Sequence, residues 1–255
     1  MGAQEADLRR PNPAYGNGIF RRRLRLRVTK QQVAVELEDC NHAFRLCLHH
    51  DGEKVVSLDT EVRRYPYITC AEAPEALRKL VGAAVGGAAT STRPRLLPSN
   101  NCTHLHDMAL LALAYAEEPA LERVYDISVA DEHGGVTEAR IDCDGAMVHA
   151  WRIREHAVIV PEVHAGKTML RGFYNWVSRC HAGVPLEAAV ALQRGYYVAQ
   201  GRRYLSDLPA SADHMPEGAC YTYSHGVVER AQRIGGTVWD LSDRPEVLLQ
   251  FRQRL

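Results

Sequence analysis

The residues with the most chemistry in this chain are imidazoles and carboxylates, and they gather in two short stretches, NHAFRLCLHHDGEKVVSLDTE (41–61) and NCTHLHD (101–107). In the first, Asp51-Gly52 is a strong type I′ hairpin signal between two strand-like runs. A two-residue turn there sets His42 across from Glu61 and Phe44 across from Asp59, with His42 and Asp59 on a diagonal of ~7–8 Å. The face they share is otherwise apolar. An imidazole beside a carboxylate on such a face has its tautomer fixed and its pKa tuned toward neutrality, as a general base needs. The plain alternative is a structural His–carboxylate pair at a wet sheet end.

In the second stretch a helix starts. MALLALAYA favours the helix by composition, and a helix turns ~100° per residue, so His104 and His106 point ~200° apart and cannot chelate one metal together. His104 shares its face with Asp107, Met108 and Leu111. Asn101 or Thr103 is the expected N-cap, which puts His104 near the positive helix end and favours a neutral imidazole or a nearby anion. Two other chemistries use the same residues. Zinc held by Cys102, His104 or His106 with His42 or Asp59 has the ligand types but lacks the short paired spacings of structural sites. A nucleophilic Cys102, its thiol pKa lowered by the helix end, has His104 too close in sequence for good base geometry.

These residues need elements to position them. Leu24, Leu26 and Val28 alternate with arginines, Val33, Val35 and Leu37 repeat the pattern, and strands at His42–Leu48 and Val55–Glu61 follow, giving a meander with one wet face. A helix is expected over AEAPEALRKLVG (71–82), a loop over GAAVGGAATST (82–92) and a buried helix from Leu105 to Ala116. The chain then repeats the order. Strands at Tyr125–Val129, Glu138–Asp142, Met147–Ile153 and His156–Val160 precede helices at Leu170–Cys180 and Leu186–Gln200. A short strand (Cys220–Tyr223), a helix (Val227–Ile234) and a strand (Thr237–Leu241) close the pattern. The fold class is α+β, with two similar halves, each an antiparallel β-meander followed by helices. Residues 1–19 read as a flexible arm, 20–118 as the first half and 119–255 as the second, packed as one unit. ELEDCNHAFRLCL lies over ARIDCDGAMVHAW with Cys40 on Cys143, a thin sign of duplication.

Composition narrows the class. Lys plus Arg and Asp plus Glu number 31 each, so no net field gathers nucleic acid or an anionic membrane, and neither partner is expected. The seven cysteines are odd in number and scattered, without a C-x-x-C pair or a signal peptide ahead of them, which reads as reduced cytoplasmic thiols. No run reaches the ~20 apolar residues of a membrane span.

In order and spacing, NHAFRLCLHHDGEKVVSLDTEVRRYPYITC followed by NCTHL resembles the bacterial family catalogued as domain of unknown function 2889, over residues ~20–118. Members of that family carry a His-Asp-Met strand start, an acidic residue on the next strand, Pro-x-x-x-Cys before a helix and Gly-Cys-Thr-His-Leu opening the following one. The resemblance maps these onto His42, Asp59, Pro66 with Cys70, and Cys102-Thr103-His104-Leu105. Asn41-His42-Ala43-Phe44 departs from the first motif and Asn101 replaces the glycine of the last. The family's likeness to proteins of aromatic catabolism, including lignin-fragment pathways, implies an aromatic small molecule.

No dinucleotide fingerprint, P-loop, Gly-x-Ser-x-Gly elbow or His-Glu-x-x-His motif is present, so proton transfer is the chemistry left. The expectation is a cytoplasmic, homodimeric, cofactor-independent lyase without a metal, in which His42, Asp59 and His104 are catalytic. Arg63, Tyr65 and Tyr223 are the expected substrate-binding residues, and a phenolic, lignin-derived substrate losing formaldehyde suits such a site. A metal-dependent hydrolase using the His/Cys/Asp cluster and a non-catalytic protein that binds an aromatic ligand are the alternatives.

Overall fold

Arginines alternate with aliphatic residues along the first strand, and that period of two decides the architecture. In the computed structural model, which describes residues 10–86, 96–205 and 215–250, β1 (Ile19–Thr29), β2 (Gln32–Asp39), β3 (Ala43–His50) and β4 (Val55–Arg64) form one meander. A second comprises β5 (Leu121–Ala130), β6 (Val136–Cys143), β7 (Ala146–Arg154) and β8 (Ala157–Val160). The first strands of the two meanders pair antiparallel, Leu24 opposite Tyr125, so all eight strands make one sheet in the order β4-β3-β2-β1-β5-β6-β7-β8.

Side chains of one parity on β1 meet both cores. Leu26 and Val28 pack with Val35, Phe44 and Leu46 beneath helix α1 (Thr103–Tyr115), through Leu105, Met108 and Ala112. Phe20 packs with Tyr125, Ile127 and Trp151 beneath helix α3 (Gly183–Ala199), through Ala188, Ala189 and Leu192. Leu24 touches both clusters. Phe20, Leu24, Leu26 and Val28 point the same way from a strand, so the two helices lie on one face of the sheet. The other face carries the opposite parity and is charged: Arg23 pairs with Asp126 at 2.7 Å and Arg27 with Glu122 at 3.2 Å. The α+β class and the one wet face are as the sequence implies. Helix α2 (Phe173–Cys180) leads into α3, and no described helix is long and apolar enough to cross a membrane.

Three local expectations are corrected. Asp51-Gly52 is not a two-residue turn. The Asp51 carboxylate accepts the backbone N–H groups of Glu53 and Lys54 at 2.9 and 2.8 Å, building a longer loop with a bulge at His49/His50. The register becomes Phe44 opposite Val62 and Leu46 opposite Thr60, and Asp59 lies opposite Cys47. An odd shift of this kind moves a side chain to the other face. The segment around AEAPEALRKLVG winds as a 3-10 helix, Ile68–Leu80, burying Thr69, Ala73, Leu77 and Leu80. Strands β7 and β8 pair through a bulge, with Ile153 opposite Val158.

Among its described residues, 215–250, the tail holds neither strand nor α-helix. Only 3-10 turns occur at Tyr221–Tyr223 and Val228–Arg230, and 237–241 is irregular. Its backbone groups bond to the first half instead. Ile68 N–H donates to Gln232, Ile234 N–H to Pro66 and Trp239 N–H to Cys40, while the Arg64 guanidinium stacks 4.1 Å over Trp239. A buried backbone must be satisfied somewhere, and here the partners are ~160 or more residues away, beyond the reach of local periodicity. From residue 87 the small-residue loop lies outside the described residues, as do residues 1–9 of the arm. The arm's next residues are tied down: Asn12 Nδ2 donates to the Arg202 carbonyl at 2.9 Å.

Candidate active site

The site grows from one cross-strand pair. Arg22 of β1 stands opposite Asp39 of β2, both on the inward parity that elsewhere holds Phe20, Leu24, Val35 and Leu37. Both are buried. Arg22 donates to Asp39 Oδ2 from Nε at 2.9 Å and from Nη2 at 2.5 Å. The other carboxylate oxygen shapes the β2–β3 turn, accepting the backbone N–H groups of Asn41 and His42 at 2.8 Å each and the His42 ring Nδ1–H at 3.0 Å. From behind, Arg64 donates to the carbonyls of Asp39 and Cys40 at 2.5 and 2.6 Å. The turn that presents His42 is held from both sides.

Helix α1 delivers His104 onto this turn. Its ring lies 4.0 Å from that of His42, tilted 35°, and Arg22 Nη2 is 3.0 Å from His104 Nε2. A guanidinium only donates, so His104 Nε2 accepts and its proton sits on Nδ1, which faces Cys102 Sγ at 3.9 Å. Burial, then the His42 and Arg22 charges, hold His104 well below the ordinary histidine range. It is a neutral imidazole that orients Arg22. Burial alone would raise Asp39, but His42 and Arg22 outweigh it and hold the carboxylate well below its usual range. Nδ1–H is bound to that carboxylate, so whenever His42 gives up its second proton the lone pair appears on Nε2, which has no partner among the described residues.

His42, His104 and Arg22 line a cavity of about 1890 Å³. Its floor includes Leu24 of β1 and Ile127 of β5, and its walls are α1 (Asp107, Leu111) and α3 (Val190, Arg194). Both meanders therefore contribute to one site. Arg194 reaches Asp107 at 2.8 Å, linking the two helices. Near the first 3-10 helix the tail adds Tyr223, whose hydroxyl is 3.2 Å from that of Tyr67, and Arg233 donates to Tyr67 at 3.0 Å.

Of the expected residues, the structure brings together His42 and His104, and Tyr223 lines the same cavity. Asp59 is not with them. The register turns it to the charged face, where its exposed carboxylate meets His49 Nε2 at 3.0 Å, and Asp39 takes its place beside His42. Arg63 is also on that outer face, bound to Glu61 at 2.8 Å, and Tyr65 packs against the first core without lining the cavity. Cys102 is itself the N-cap residue, without a side-chain cap bond, and burial pushes its thiol up rather than down, which removes the activated-nucleophile expectation. Missed were Arg22, Asp39, Tyr67 and Arg233. The first two had a signal: both break an alternating pattern by placing a charge at an apolar, inward position.

The family model described as "Protein of unknown function (DUF2889)" matches residues 20–116. This bears out the resemblance read from the sequence, over β1 through α1, and contains Arg22, Asp39, His42 and His104. No curated protein and no solved structure matches the chain.

Proposed function

We propose that the protein is a cofactor-independent lyase for a small aromatic substrate, with His42 as the base. One observation carries this reading. A buried carboxylate fixes the His42 tautomer, leaving an unpartnered Nε2 on a residue that lines a large cavity, the arrangement proton transfer requires. For a phenolic, lignin-derived substrate bearing a hydroxymethyl group, His42 Nε2 takes the hydroxyl proton. The carbon–carbon bond then breaks to release formaldehyde; its electron pair forms a carbon–carbon double bond as the neighbouring carbon–oxygen bond of the substrate breaks, and the departing oxygen takes the proton back from His42. Arg22 suits the role of holding that developing anion, since Nη1 has no partner among the described residues and the side chain lines the cavity. His104 positions Arg22, and Tyr223 with Tyr67 offers a phenol contact. In this reading the two meanders are similar halves sharing one site, and the protein is a cytoplasmic homodimer.

The test is substitution of His42 by Ala, with formaldehyde release measured on phenolic substrates carrying a hydroxymethyl group. Turnover falls by at least about 100-fold, the low end of a general base's contribution, while circular dichroism is unchanged; wild-type activity removes His42 from the mechanism. A metal-dependent hydrolase is the second reading, favoured by ligand atoms of Asp39, His42 and His104 within 4.8 Å of one another. Against it, Arg22 occupies Asp39 Oδ2 and the His104 lone pair. One tightly held metal per purified chain would favour that second reading.

A further inference from the structure

The cavity has a second polar corner. Glu187 of α3 lines it beside Leu111 and Ala114 of α1. Its Oε1 accepts the hydroxyl of Tyr115 at 3.3 Å and the hydroxyl of Tyr125, and Arg123 donates to the Tyr115 oxygen. Neither tyrosine lines the cavity, so both stand behind the carboxylate. The other oxygen, Oε2, has no partner among the described residues. Burial raises the Glu187 carboxyl above its usual range, although the two phenols and Arg123 pull the other way.

This corner is distant from the first. His104 lies in the first turn of α1 and Tyr115 ends it, which at 1.5 Å per residue separates them by ~16 Å along the helix. The two corners are built alike. Tyr125 stands opposite Cys143 at the end of β6 as Arg22 stands opposite Asp39 at the end of β2, and in each corner the first turns of a helix bring the polar group, His104 or Glu187.

We propose that Glu187 is a specificity-determining subsite that accepts a hydrogen bond from a hydroxyl at the far end of the bound molecule, through Oε2. It rests on the reading of this cavity as the substrate site. An unpartnered acceptor on an apolar wall rejects a ligand that leaves it unsatisfied, which is how polar groups in pockets discriminate.

Binding tests this without turnover. The probes are 4-phenylphenol and biphenyl, differing by one hydroxyl, together with 4-methoxybiphenyl, titrated calorimetrically into wild type, Glu187→Gln and His42→Ala. Wild type binds 4-phenylphenol at least about tenfold more tightly than biphenyl, the low end for a hydrogen bond to a charged group. In Glu187→Gln the two tyrosines claim the amide oxygen, so the cavity meets an NH₂ donor that the oxygen of either probe can accept, and the preference for 4-phenylphenol over 4-methoxybiphenyl is lost. His42→Ala keeps the wild-type order. Equal binding of all three probes by wild type and Glu187→Gln overturns the subsite while leaving the cavity a binding site. Loss of the hydroxyl preference in His42→Ala alone overturns it by moving the contact to the other corner. No binding by wild type overturns the subsite together with the aromatic-site reading.

Discussion

The β2–β3 and β6–β7 hairpins both turn in two residues, and they do it by different physics. At Asp144-Gly145 the backbone makes the turn, with φ of +51° and +81°, the mirror-image conformation that tight hairpins favour. At Cys40-Asn41 neither residue has positive φ; the turn is instead propped by Asp39, whose Oδ1 accepts two turn amides and the His42 ring. Counting outward from each turn, Cys143 stands where Asp39 does and Ala146 where His42 does. The second turn needs no side chain. The first is built around a charge, and that charge is what a base on His42 requires. Overlaying Cys40 on Cys143 in sequence misses this, because it slips the hairpins by one residue and compares opposite faces.

Removing the prop should cost most. Asp39→Ala leaves Arg22 buried without its counter-charge and frees two turn amides, and breaking a buried pair from one side costs about 3–5 kcal/mol. A urea midpoint shift of that size, with loss of turnover, is the expected result; a loss below about 1 kcal/mol would mean the turn stands without its carboxylate. At the other hairpin the expected effect is smaller. A Cβ at Gly145 meets nothing within 4 Å, so Gly145→Ala carries only the cost of positive φ, about 1 kcal/mol, and leaves turnover intact. A larger effect on turnover there than at Asp39 would reverse the comparison.

Much of the sheet was legible because its signal is local. Alternation fixed all eight strands of the sheet to within a few residues, and the apolar run from Leu105 fixed α1. The site was legible in part. His42 and His104 stood out by type, whereas Arg22 and Asp39 were hidden among 31 basic and 31 acidic residues. What singles them out is parity: in RRRLRLRV, Arg22 falls on the side of Leu24 and Leu26, and in VAVELED, Asp39 falls on the side of Val33 and Val35. Two opposite charges at inward positions of neighbouring strands can be buried only as a pair. The tail was not legible, since its turns take their form from Pro66, Cys40 and Arg64 in the other half.

Asp59 is the sharpest case, because the sequence and the structure disagree about the face it takes while both put His42 on the inner one. A two-residue turn at Asp51-Gly52 would bring it to the inner face. The Asp51 side chain lengthens that loop, and the longer loop carries Asp59 outward to an exposed pair with His49. Exposed pairs contribute about 0.2–1 kcal/mol, and many contribute nothing measurable. Asp59→Asn should therefore shift stability by less than about 0.5 kcal/mol and leave turnover within twofold of wild type, the smallest effect of the three. A drop in turnover as deep as that of Asp39→Ala would mean that β4 slides to its shorter register in the working protein, and would return Asp59 to His42.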